Sequence, residues 1–171
     1  KTAYEIRLSL VGSEMCIRDR ACNALGDVVD PESGRVIAGA RSTDGRSLLD
    51  IRRAILAGEI PTPLLPGTNT TLAVVATDAV LTKAQAHRLA QVAHDGLARS
   101  INPAHTMSDG DTVFALGTGL VEKNPGMMTL CTLAAEVTAR AVVRAVMAAE
   151  GVSAGNLRWP SARELAAGSS A

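Results

Sequence analysis

Two apolar runs, the first rich in Val and each leading into a long Ala-rich stretch of helical periodicity, constrain this chain more than any other feature. The first run is "TLAVVATDA", Thr71 to Ala79, and the second is "DTVFALGTG", Asp111 to Gly119. Continuous apolar runs bounded by polar turns read as strands buried on both faces. Behind the first, Thr82 and Gln85 match the Thr-x-x-Gln capping box that satisfies free amides at a helix start. Ala86, Leu89, Ala90, Ala93, Leu97 and Ile101 then recur at helical spacing. Behind the second, a helix opening at Pro125 and ending at Gly151 carries Leu130, Leu133, Ala134, Val137, Ala141 and Ala145 as its buried stripe. Upstream, Gly26 to Arg41 reads as two strands joined by a turn at Pro31, Ser33 and Gly34. Ser47 to Gly58 reads as a short amphipathic helix stopped by its glycine. Strand pair, helix, linker, strand, helix, strand, helix is the order of a layered α/β domain. The tail from Val152 is small and polar, and fraying is expected there.

Aromatic residues are scarce. Trp159, Tyr4 and Phe114 are the only ones, so the core must be built from Ala, Val, Leu and Ile. A length of 171 residues with 47% hydrophobic residues suits one globular domain. The formal net charge of zero argues against a nucleic-acid surface driven by bulk charge. No apolar run approaches the roughly 20 residues that cross a bilayer. Cys16, Cys22 and Cys131 give neither metal-ligand spacing nor a disulfide framework, which fits a reduced, cytoplasmic compartment. The string "LVGSEMCIRDR", Leu10 to Arg20, resembles the translated sequence of a transposon adapter used in preparing sequencing libraries. Residues 1–20 are therefore expected to be non-native and are set outside the fold argument. The remainder then opens mid-element and is expected to be N-terminally truncated.

Chemistry concentrates in three places. "EIPTPLLPGTN" holds three prolines and a glycine in eleven residues, an exposed non-helical linker, and it runs directly into Thr70 and Thr71. A threonine hydroxyl is a poor nucleophile unless a base is held against it. A threonine that is the first residue of a chain has that base in its own α-amine, whose pKa is about 7.7–8.0 when unperturbed. Inside a chain, such a terminus requires self-cleavage in front of the hydroxyl. The ordinary alternative is a loop end that satisfies its own backbone. "HTMSDGD", His105 to Asp111, offers His105, Asp109 and Asp111 either as metal ligands or as an Asp-Gly-Asp turn, and no second cluster completes a coordination sphere. Asn23 in "CNALGD" is either a turn residue beside Gly26 or a side-chain amide donor. His87 and His94, seven apart on one helix, read as partly exposed surface, and Cys131 reads as a small core residue.

"CNALGDVVDPESGRVIAGAR", "NTTLAVVATDA", "LTKAQAHRLAQVAHDGLAR", "HTMSDGDTVFALGTG" and the Ala-rich helix behind them together resemble the DmpA family of self-processing aminopeptidases, also called the L-aminopeptidase/D-esterase or β-aminopeptidase family. The resemblance covers nearly all of residues 21–151. It implies an α/β fold, a layered α/β/β/α sandwich of the DmpA/ornithine acetyltransferase type. Residues 21–69 would belong to the α chain, the β chain would begin at residue 70, and residues 152–171 would form a polar tail. Cleavage is implied between Asn69 and Thr70, with Thr70 as nucleophile and Thr71 as its competitor. Asn23 matches the family's oxyanion-stabilising asparagine. Asp111 matches an acid that holds the α-ammonium. Asp109 stands where well-known members have serine, which leaves its proton-relay role open. The implied substrates are small peptides, amides or esters, with no cofactor and with assembly into homo-oligomers of αβ units. An acyltransferase and a non-catalytic fragment or binding protein are the rival readings.

Overall fold

The computed structural model describes residues 15–42, 45, 47–59, 69–122, 125–155 and 157–168. The linker residues 60–68 and residues 1–14 lie outside the described part. The elements follow in the order β1 (Met15–Asn23), β2 (Asp27–Val29), β3 (Val36–Ala38), α1 (Ile51–Leu56), β4 (Thr70–Ala79), α2 (Lys83–Ser100), β5 (Ile101–Asn102), β6 (Thr112–Val121), α3 (Met127–Ala148), β7 (Val152–Ala154), β8 (Leu157–Trp159) and α4 (Ala162–Gly168).

Both apolar runs form strands, as expected, and the two lie side by side. In the sheet β1-β4-β6, β4 pairs with β6 in parallel and with β1 antiparallel. Residues 15–20, set aside on sequence, continue β1 along β4, with a register shift between Ile17 and Arg20. An open strand edge takes up an extended segment through backbone groups alone. A second sheet, β3-β2-β5, forms because β5 follows α2 without a loop and pairs back onto β2. The turn between β2 and β3 is closed by Asp30, whose carboxylate accepts from the Glu32 amide at 2.9 Å and the Ser33 hydroxyl at 2.9 Å.

The capping box at Thr82 and Gln85 forms in full. Helix α1 is shorter than its sequence pattern, because Asp50, at φ 53°, caps it three residues inside the expected start at Ser47. Asp27 holds that corner. Its buried carboxylate accepts from the Ile51 amide at 2.6 Å and from the Ala40 amide at 2.8 Å. Burial pushes the Asp27 carboxyl above its ordinary range, and these two amides pull it back.

The core lies between the sheet and α2/α3, around Val75, Leu89, Leu97, Leu130 and Val142. In β4 only every second residue, Thr71 to Ala79, is buried, so the expectation of burial on both faces does not hold. The crossover helix lays α2 and its partner α3 on one face. On the other, Leu72, Phe114 and Leu116 are exposed. The tail also differs from its expected fraying. β7 and β8 pair as a hairpin, and α4 starts at a reciprocal Ser161–Glu164 cap. Among the described residues no helix is long and apolar enough to cross a membrane.

The aromatic-poor composition is used where α2 meets α3. Gly96 is buried, and a Cβ there would overlap the Ala135 carbonyl oxygen and lie 2.6 Å from the Thr138 Cβ. Alanine in a helix is favoured over glycine by about 1 kcal/mol. Overpacking against a backbone atom costs about 1–3 kcal/mol and more where the backbone cannot yield. The overlap should win, so Gly96→Ala should lower the urea midpoint with m unchanged. A midpoint at or above wild type would show that the helices separate freely.

Candidate active site

Thr70 is the first residue of β4, and the peptide bond in front of it is gripped from two sides. The Thr70 hydroxyl donates to the Asn69 carbonyl oxygen at 2.7 Å. The Gly110 amide donates to the same oxygen at 2.9 Å. A parallel bridge between Asn69 and Asp109 holds the two segments side by side. Two donors on one carbonyl oxygen draw electron density from its carbon and leave it open to attack by the adjacent oxygen. Gly110 has to be small for this, since a Cβ there would lie 2.9 Å from Thr70 Oγ1.

Thr71, the competing hydroxyl, points to the other face of the pleat. It is fully buried, and its Oγ1 has no partner among the described residues. Strand alternation separates the two adjacent hydroxyls: one lies at the carbonyl, the other in the core.

The loop that carries Gly110 is positioned by β5 and β6. Its Asp111 side chain is 4% exposed. One carboxylate oxygen accepts from the Thr71 amide at 2.8 Å, and the other lies 3.0 Å from His105 Nδ1. Asp111 therefore anchors the strand one residue beyond Thr70. Asp109 faces its own loop, accepting from the Thr106 amide at 2.9 Å and the Thr106 hydroxyl at 2.7 Å, with a long bond of 3.4 Å from the Leu25 amide. Asn23 is placed by its backbone alone: the β1–β4 register sets it directly opposite Thr70. His105, Asp109 and Asp111 do not converge as ligands, and among the described residues no three His, Cys, Asp or Glu side chains are grouped to hold a metal ion.

The sequence does not signal the contacts that Gly110, His105 and His94 make at this site. Gly110 acts through its backbone amide, which leaves no mark in a sequence beyond the glycine itself. His105 was weighed only as a metal ligand; its bond to Asp111 depends on a left-handed backbone, φ 56°. Of the two histidines expected to be partly exposed, His87 is exposed and His94 is half-buried, with its ring 4.9 Å from that of His105. Burial first, then the neighbouring His105, holds the His94 imidazole below its ordinary 6.5. The unfolded chain takes up a proton that folded His94 resists, so stability falls as pH drops through 6.5 toward the lowered folded value. We expect His94→Gln to flatten the fall in Tm between roughly pH 7 and pH 5.5. An unchanged slope would assign that acid sensitivity to other groups.

The chain is similar to known proteins along most of its length. The model of Peptidase family S58 matches residues 15–158. An uncharacterized aminopeptidase of Mycobacterium leprae is 43% identical over 77% of this chain and 40% of its own length. An uncharacterized aminopeptidase of Mycobacterium tuberculosis is 39% identical over 79% of this chain and 41% of its own length. The chain thus spans about two-fifths of these relatives. Among solved structures, the L-aminopeptidase D-Ala-esterase/amidase of Ochrobactrum anthropi is similar at 24% identity with a TM-score of 0.47, over 58% of this chain and 32% of that one.

Proposed function

Because the chain belongs to Peptidase family S58, we propose that it forms the nucleophile-bearing part of a self-processing hydrolase that removes N-terminal residues from small peptides, amides or esters. The observation that carries this is the convergence of Thr70 Oγ1 and the Gly110 amide on the Asn69 carbonyl oxygen.

In the first step Thr70 Oγ attacks the Asn69 carbonyl carbon. The carbon–nitrogen bond breaks, and the hydroxyl proton passes to the departing Thr70 nitrogen. An ester between Asn69 and Thr70 Oγ results. Water then adds to the ester carbonyl, releasing Asn69 as a carboxylate and restoring the hydroxyl. Thr70 now carries a free α-amine, the base it previously lacked. The Gly110 amide stabilises the oxyanion, and Asn23, whose backbone pairs opposite Thr70, is the second donor. Removing one such donor raises a barrier by about 2.7–4 kcal/mol. Asp111 supplies the negative charge that holds the new ammonium at the strand start.

In turnover the α-amine takes the hydroxyl proton as Oγ attacks the substrate carbonyl. The leaving amine or alcohol departs with a proton, and water resolves the acyl-threonine to a free acid. Two measurements test this. Intact mass and N-terminal analysis should find a piece ending at Asn69 and a piece beginning at Thr70. Free acid should then appear without any acceptor amine. Product seen only when an amine is supplied would reassign the acyl-threonine to acyl transfer.

A further inference from the structure

We propose that His105 is a positioning residue for Thr70, acting through Asp111; the inference rests on the reading of Thr70 as nucleophile. Asp111 is nearly enclosed, at 4% side-chain exposure. A buried carboxylate keeps its orientation only if both oxygens have partners. One oxygen takes the Thr71 amide, and His105 Nδ1 lies 3.0 Å from the other. The histidine is held to this task by two further features. Its backbone sits at φ 56°, a conformation that a residue with a Cβ adopts under strain. Its ring lies tilted at 60° against His94, which is anchored on α2.

The chain of contacts runs from α2 through His94, His105 and Asp111 to the amide behind Thr70. Without the His105 donor, Asp111 is free to rotate toward another partner, and the peptide joining Thr70 to Thr71 loses its fixed anchor. The contacts of His105 run to Asp111 and His94, so it acts on Thr70 through Asp111. Its loss should therefore act on rate and leave substrate binding alone.

The test compares wild type, His105→Gly and His105→Asn in the full chain. Glycine relieves the backbone strain and removes the donor. Asparagine tolerates the same backbone and restores an N–H. His105→Gly should melt at or above the wild-type temperature, yet split at Asn69/Thr70 more slowly and, once mature, show kcat reduced by up to about 100-fold with KM unchanged. His105→Asn should recover most of both rates. If the glycine variant melts lower, His105→Asp takes its place: it suits the same backbone, sets a like charge on Asp111 and should be equally slow. Wild-type rates in either donor-free variant overturn the proposal and leave Thr70 standing. So does an asparagine variant no faster than glycine. A wild-type enzyme that turns over with the Asn69–Thr70 bond intact removes the reading of Thr70, and this proposal with it.

Discussion

With Thr70 replaced by alanine the chain is expected to remain whole, and hydrolysis to fall by a factor on the order of 10⁶, the scale on which deleting a covalent nucleophile slows acyl transfer. Thr70→Ser should still split, because the attacking oxygen stays beside the Asn69 carbonyl. The informative control is Thr71→Val. The Thr71 hydroxyl is buried without a partner among the described residues, so an isosteric methyl removes an uncompensated polar group. Splitting should continue at the wild-type rate, with stability unchanged or raised by about 1 kcal/mol. Cleavage surviving in Thr70→Ala and lost in Thr71→Val would reverse the assignment of nucleophile. Intact mass after a timed incubation distinguishes the two outcomes.

Gly110→Ala should nearly silence the site without unfolding the protein. The new Cβ would lie 2.9 Å from Thr70 Oγ1 and 3.7 Å from the Asn69 carbonyl oxygen. Either the hydroxyl swings away from the carbonyl, or the loop retreats and takes its amide donor with it. A displacement on the order of 1 Å at a reacting pair costs about 100-fold in rate, and that is the expected loss in splitting. Gly110 is exposed and its backbone needs no left-handed conformation, so Tm should stay near wild type. A fast-splitting Gly110→Ala chain would show that the close packing of this loop is incidental.

Much of the architecture was legible because it is written in local rules. The capping box at Thr82 and Gln85, the helical stripes of α2 and α3 and the turn closed by Asp30 each depend on residues a few positions apart. The Ser161–Glu164 cap was equally legible as Ser-x-x-Glu, but the small polar residues around it drew the reading toward a frayed tail. Strand β4 is buried on one face rather than two because an apolar run does not say how many faces will be covered; that depends on where α2 and α3 settle.

The candidate site divides in the same way. Residue types and order alone determined that a proline-rich linker meets two hydroxyls, that an Asp-Gly-Asp turn follows one strand later, and that the whole matches one peptidase family. Only the tertiary structure sets Thr70 and Thr71 apart, because the pleat sends one hydroxyl to the Asn69 carbonyl and the other into the core. It alone brought the Gly110 amide, 41 positions downstream of Asn69, onto that carbonyl, and His105 onto Asp111. The physical reason is reach. A capping box closes within one helical turn, whereas a site held by backbone amides across a parallel strand pair exists only when the sheet has formed.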